Sequence, residues 1–174
     1  MTESEAFSEI RIRPATPADL PAIGRLAAML VRVHHEFDPD RFIPATPDTE
    51  RGCASWLGSQ LTTSSAIVLV AEHRGAVIGY SYAALEEQDW MVLRGPAGMI
   101  YDILVDPAHR GGGMGRLLLD ATITELEMRG APRVVLSTAA RNESAQRLFA
   151  RTGFRPTMIE MTRECTSRSP APPL

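Results

Sequence analysis

Val105-Asp106-Pro107-Ala108-His109-Arg110-Gly111-Gly112-Gly113-Met114-Gly115 runs from an apolar strand directly into a helical pattern. The strand, Met99 to Val105, stops at Asp106-Pro107 because proline cannot donate to a sheet ladder. Four glycines crowd the turn before Arg116-Leu117-Leu118-Leu119 starts a helix. Glycine lets a backbone come close to a ligand, and the first amides of a helix have no intrahelical acceptor. Those free N–H groups, at the positive end of the helix dipole, make a seat for a diphosphate.

Three phosphate-binding turns compete for this stretch. A P-loop needs Gly-Lys-Ser/Thr closing the glycine run, and Gly115 is followed by Arg116 and Leu117. The dinucleotide fingerprint G-x-G-x-x-G fails in both registers, ending on Arg116 from Gly111 and on Leu118 from Gly113. Arg110-Gly-Gly-Gly113-Met-Gly115 fits the third, Arg/Gln-x-x-Gly-x-Gly/Ala, at every fixed position. Downstream, a helix over 113–129 is stopped by Gly130-Ala131-Pro132 and followed by a short strand, Arg133 to Leu136. Then Asn142 caps a helix whose Ala145, Leu148 and Phe149 share one face and which Gly153 closes, before Phe154. This segment resembles Asn-x-x-Ala-x-x-Leu-Tyr-x-x-x-Gly-Phe, the second signature of the GNAT superfamily of N-acetyltransferases. With two signatures in the right order, the chain resembles that superfamily over about residues 9–164.

The bulk numbers are those of an ordinary globular protein. The chain has 174 residues, 44% of them hydrophobic and 22% charged, enough for one domain over residues 1–166 without staples. Ser167 to Leu174 reads as a disordered tail. A net charge of −3 lacks the basic footprint of non-specific nucleic-acid binding. No apolar run reaches the ~20 residues of a membrane span, and Met1–Glu9 lacks the basic and apolar regions of a signal peptide. Cys53 and Cys165 match no metal or redox spacing and read as reduced thiols of a cytoplasmic protein. His34-His35-Glu36, His73 and His109 make no metal-ligand pattern, so no metal is expected.

Ile10 and Ile12 alternate with Arg11 and Arg13 in a first strand, and Thr16-Pro17-Ala18-Asp19 opens a helix running to about His35. Thr46-Pro47-Asp48 opens a second, ending near Leu61. Ala66–Ala71 and Ala76–Ala84 form a hairpin across Arg74-Gly75, and Glu86–Gly95 is a polar loop. With a last strand over Thr157–Arg163, the order is β-α-α-β-β-β-α-β-α-β, an α+β fold. The strand-helix-strand crossover from Met99–Val105 to Val134–Leu136 makes those two strands parallel. The resemblance implies a mixed, mostly antiparallel sheet flanked by helices, its fourth and fifth strands splayed to admit the pantetheine arm of acetyl-CoA.

The same resemblance implies backbone contacts to pantetheine from Leu104 and Val105. It implies a diphosphate seat at Arg110, Gly111, Gly112, Gly113, Met114 and Gly115, with a further contact from Asn142. GNAT enzymes pass the acetyl group directly from acetyl-CoA, the cosubstrate, to an amine, which must lose a proton to attack. Asp102 interrupts the apolar run Ile100 to Val105, a costly placement unless the carboxylate is paired or functional, and it is the candidate base or amine anchor. A backbone amide near Val105 is the oxyanion donor.

Phe149 departs from the family pattern: many members carry a tyrosine there whose hydroxyl protonates the leaving thiolate, and phenylalanine has no such proton. Tyr101, Ser137 and Ser144 are hydroxyls that could substitute, as could water. Acceptor recognition is expected from the first two helices and the Glu86–Gly95 loop, with Glu86, Glu87 and Asp89 attracting an amine and Trp90 or Tyr82 stacking on it. The expected partner is therefore an amine of a small molecule or a protein, with no nucleic acid and no membrane, and a homodimer is left open. The competing functional class is an acyl-CoA-binding sensor without efficient turnover, which Phe149 favours.

Overall fold

The computed structural model describes residues 10–165. The readings of Met1–Glu9 and of the 167–174 tail lie outside the described residues. Five strands form one sheet in chain order: β1 (Ile10–Pro14), β2 (Ala66–His73), β3 (Ala76–Glu86), β4 (Ala97–Val105) and β5 (Val134–Leu136). The first three pairings are antiparallel and β4–β5 is parallel, as a helical crossover requires. Helices α1 (Leu20–Phe37) and α2 (Thr49–Gln60) pack one face, while α3 (Met114–Met128) and α4 (Glu143–Arg151) pack the other.

Local chemistry explains the joints. Arg74 and Gly75 both take positive φ, 52° and 79°, closing the β2–β3 hairpin with the mirror-image turn that suits right-twisted strands. Before α1, a 3₁₀ turn over Pro17–Asp19 turns the Asp19 carboxylate back onto the Thr16 N–H and hydroxyl, each at 2.8 Å. The Arg13 guanidinium grips the same carboxylate bidentately, at 2.7 and 2.9 Å, and also reaches Glu72. That pairing holds the Asp19 carboxyl well below the usual carboxylate range and ties β1 to the start of α1. Between α1 and α2, a Cβ on Gly24 would stand 2.6 Å from the Glu50 carbonyl oxygen and 2.8 Å from the Ala54 Cβ. Glycine therefore sets how closely these two helices approach.

The expected last strand is corrected. Thr157–Arg163 carries no strand in the structure and lies exposed, with Met158, Ile159 and Met161 open to solvent. A strand needs a ladder partner, and β5, three residues long, gives it none. What holds the segment instead is a charge pair between Arg41 and Glu160.

A bulge in β4 decides which side chains reach the site. Tyr82 faces Asp102 across the ladder and Ala83 faces Ile100, which leaves Tyr101 as the extra residue. Strict alternation would put Asp102 on one face with Ile100 and Leu104, and Tyr101 on the other. Instead Ile100 joins the core beneath α3, Leu104 joins the core beneath α1, and Tyr101 and Asp102 line one pocket together.

Candidate functional site

The glycine turn leaves a row of backbone amides without acceptors. The Asp106 carboxylate accepts from the Ala108 N–H at 3.0 Å, and the Asp106 and Pro107 carbonyls accept from the amides of His109 and Arg110. Beyond Arg110 the chain needs glycine twice: Gly111 has φ +91° and Gly113, the residue capping α3, has φ +76°. Leu117 makes the first amide bond back into the helix, to the Gly113 carbonyl. Among the described residues, none accepts from the amides of Gly111, Gly112, Gly113, Met114, Gly115 or Arg116. Six consecutive N–H groups thus stand unpaired at the positive end of α3.

Beside this turn β4 has a bare edge. The β4–β5 ladder covers only Gly98–Ile100 against Val134–Leu136, and further along β4 no strand of the described residues pairs on that side. β5 ends at Leu136, so among the described residues the rest of β4 is left without a ladder partner on that side. The Asp106 amide donates to Ile78 in β3, and the Leu104 carbonyl lies 2.9 Å from where a Gly79 Cβ would stand, so both residues turn their backbone toward β3. Backbone groups alternate along a strand, so Ile103 and Val105 face the bare edge. The Val105 carbonyl there accepts from the Arg110 Nε at 3.0 Å, which fastens the guanidinium beside the turn and leaves the Val105 N–H available.

On the α1 side of β4 a pocket of about 230 Å³ is lined by Leu30, Val31 and His34 from α1, Phe42 and Ile43 from the following loop, and Tyr101 and Asp102 from the bulge. Burial pushes the Asp102 carboxyl above its ordinary value; a hydrogen bond from the Tyr80 hydroxyl, 2.9 Å away, and the nearby His34 work against that rise. The Tyr80 phenol, fully buried, is itself driven far up by burial and by the carboxylate. A carboxyl so placed holds a proton more readily than a surface aspartate and still has access to the pocket. His34 turns Nδ1 to the Leu30 carbonyl at 2.9 Å, so Nδ1 carries the hydrogen and Nε2 is the accepting nitrogen of the neutral ring. Tyr101 stacks on Tyr82 at 5.2 Å, and Tyr82 meets Trp56 edge-on at 4.9 Å, so an aromatic row backs the pocket wall. Burial next to Asp102 raises the Cys53 thiol, keeping it protonated rather than nucleophilic.

The other sequence candidates fall in different places. Asn142 caps α4, its side-chain oxygen accepting from the Ala145 N–H at 3.2 Å. Phe149 is buried in the core beneath α3 and meets Phe154 edge-on. Ser137 and Ser144 are exposed, whereas Tyr101 borders the pocket. In the Glu86–Gly95 loop, Glu86 pairs with Arg94 at 2.7 Å and the Asp89 carboxylate accepts from the Met91 and Val92 amides, while Glu87 is exposed. The loop joins the start of β4, at the opposite end of that strand from the glycine turn. Of Glu86, Glu87, Asp89, Trp90 and Tyr82, only Tyr82 stands by the pocket, where it supports Tyr101. His34 stood out in the sequence only as part of a rejected metal pattern, and Tyr80 not at all, since a tyrosine in a strand looks like any other.

Residues 30–154 match the model of the acetyltransferase (GNAT) family. A GCN5-related N-acetyltransferase from Ralstonia eutropha JMP134 superposes with a TM-score of 0.69 at 26% identity, over 90% of this chain and 98% of that one. An acetyltransferase from Clostridium acetobutylicum, solved with acetyl-CoA, has the same fold at 16% identity and a TM-score of 0.68, over 88% and 96% of the two chains. A mycothiol acetyltransferase from Thermobispora bispora is 35% identical over 85 residues, which are 49% of this chain and 28% of that protein. The chain thus spans less than a third of the length of that relative.

Proposed function

Because the chain belongs to the acetyltransferase (GNAT) family, we propose that it transfers an acetyl group from acetyl-CoA directly to the amine of a small molecule or a protein, as one cytoplasmic domain. The observation that carries this reading is the row of six unpaired amides, Gly111 to Arg116, set beside the bare edge of β4. Acetyl-CoA supplies the activated thioester. The amides of Gly111, Gly112, Gly113, Met114 and Gly115 hold its diphosphate, and Arg110, fixed on Val105, adds charge. Asn142 offers its side-chain NH₂, since its oxygen is committed to the cap.

Ile103 and Val105, whose backbones face the bare edge, take the strand-like pairing with the pantetheine arm; Leu104, expected in that role, turns its backbone to β3 and fills the core behind them instead. The Val105 N–H is left to stabilise negative charge on the acetyl oxygen. Asp102 anchors the incoming ammonium in the pocket and takes its proton, with the His34 Nε2 as a second acceptor toward solvent. Phe149 gives no proton, and a thiol of ordinary pKa ~8.5 leaves tolerably as thiolate without one. A sensor would need the amide row but not a half-buried carboxylate and an imidazole facing an acceptor pocket, so turnover is the better reading.

Release of free thiol from acetyl-CoA in the presence of a panel of amines tests the proposal. Amine-dependent release supports it, and tight CoA binding with no release for any amine refutes it in favour of the sensor.

A further inference from the structure

Resting on that transferase reading, we propose that the acceptor is a primary amine with a single positive charge on a compact apolar body, an arylalkyl or branched alkyl amine. The pocket's chemistry points there. Its walls are Leu30, Val31, Phe42, Ile43 and the Tyr101 ring, and its polar side-chain groups are the Asp102 carboxylate, the His34 imidazole and the Tyr101 hydroxyl. One carboxylate balances one ammonium. A second ammonium, or a ring of hydroxyls, pressed against the hydrocarbon walls loses its hydrogen-bond partners and is destabilised there.

Asp102 accepts when ionised, and in the neutral His34 ring the hydrogen lies on Nδ1 toward the Leu30 carbonyl, leaving Nε2 to accept. An ammonium brings three donors and no acceptor, so it matches this pair. A volume of about 230 Å³ has room for a phenylethyl or isopentyl body.

At the Phe42 wall, Arg41 lies over the ring at 5.0 Å and is paired with Glu160. His35 pins the loop that carries Phe42 by bonding its carbonyl at 2.8 Å, so the apolar wall is fixed in place.

The experiment compares 2-phenylethylamine, isopentylamine, spermidine, glucosamine and the tripeptide Phe-Ala-Ala in the thiol-release assay, with wild type and Val31→Asp. The two apolar amines should exceed spermidine and glucosamine in kcat/KM by about tenfold or more, in line with apolar-pocket discrimination. Val31→Asp, which adds a second carboxylate to the wall, should move the preference toward spermidine. Activity on the tripeptide at the level of 2-phenylethylamine assigns the same chemistry to a chain terminus, and its absence assigns it to a free amine. Preference of the wild type for spermidine or glucosamine overturns the inference. If no amine is acetylated, calorimetry on the CoA complex decides: binding of 2-phenylethylamine but not glucosamine upholds the pocket chemistry while the transferase reading fails, and no binding of 2-phenylethylamine overturns both.

Discussion

The Tyr80 hydroxyl donates to the Asp102 Oδ2 across 2.9 Å, joining a phenol with no solvent exposure to the carboxylate in the pocket wall. The bond does two things at once: it satisfies a buried hydroxyl, and it holds down a carboxyl pKa that burial pushes up. Tyr80→Phe removes the second effect. The acidic limb of the kcat/KM profile should then move to higher pH, with CoA affinity unchanged by calorimetry. An unmoved limb would detach Asp102 from the proton transfer.

Asp102→Asn should lower turnover by about 10²–10⁴-fold, the usual worth of a positioned acid–base group, and spare CoA binding. Its effect on stability has the opposite sign. The folded state holds the Asp102 proton more tightly than the unfolded chain, so stability is lost as pH rises from the unfolded value through the folded one. At neutral pH the ionised group is a net cost to folding, and the asparagine variant should melt no lower than the wild type. Thermal melts at pH 7 beside steady-state rates check both halves.

Gly113→Glu places a side chain and a negative charge at the capping position of α3, where φ is +76°. The left-handed conformation costs a non-glycine residue about 1–2 kcal/mol, so the fold should survive while CoA binding is abolished. Circular dichroism and calorimetry on the same sample separate the two, and retained affinity would count against the seat.

Gly24→Ala should destabilise the protein by about 1–3 kcal/mol, since the added methyl meets the Glu50 carbonyl and Ala54 and forces α1 away from α2. Because α1 carries Leu30, Val31 and His34, the surviving enzyme should show a raised KM for the amine and a normal affinity for CoA. Equal losses for both substrates would contradict this division of the site.

Asp19→Ala leaves Arg13 with Glu72 alone and strips the Thr16 amide of its acceptor. A loss of about 1–3 kcal/mol in urea unfolding is expected at neutral pH. Pairing lowers the folded-state pKa of Asp19, so its contribution is present above the ordinary carboxylate value and disappears as pH falls through the folded one. The wild-type and variant curves should therefore converge in acid.

Much of this molecule was readable in advance for a local reason. Arg74-Gly75, Gly130, Asn142 and Gly153 act through their own backbone or the next few residues, and the structure gives Gly75, Gly130 and Gly153 the positive φ that their positions suggested. The glycine turn is equally local, because unpaired amides follow from any strand-to-helix turn ending in glycine. Thr157–Arg163 misled because apolar residues can suggest a strand while saying nothing of whether a neighbouring strand exists to receive it.

The amino-acid order by itself determined the helices, the first five strands, the parallel crossover and the glycine turn, since each depends on contacts within a turn or a short connection. Tertiary structure alone decided the acceptor side. One residue inserted opposite Tyr82 and Ala83 reverses the alternation of β4, so Tyr101 and Asp102 enter the same pocket and Tyr80 reaches the carboxylate from the neighbouring strand. A bulge is a property of the pairing between two strands, and no periodicity within one of them reveals it.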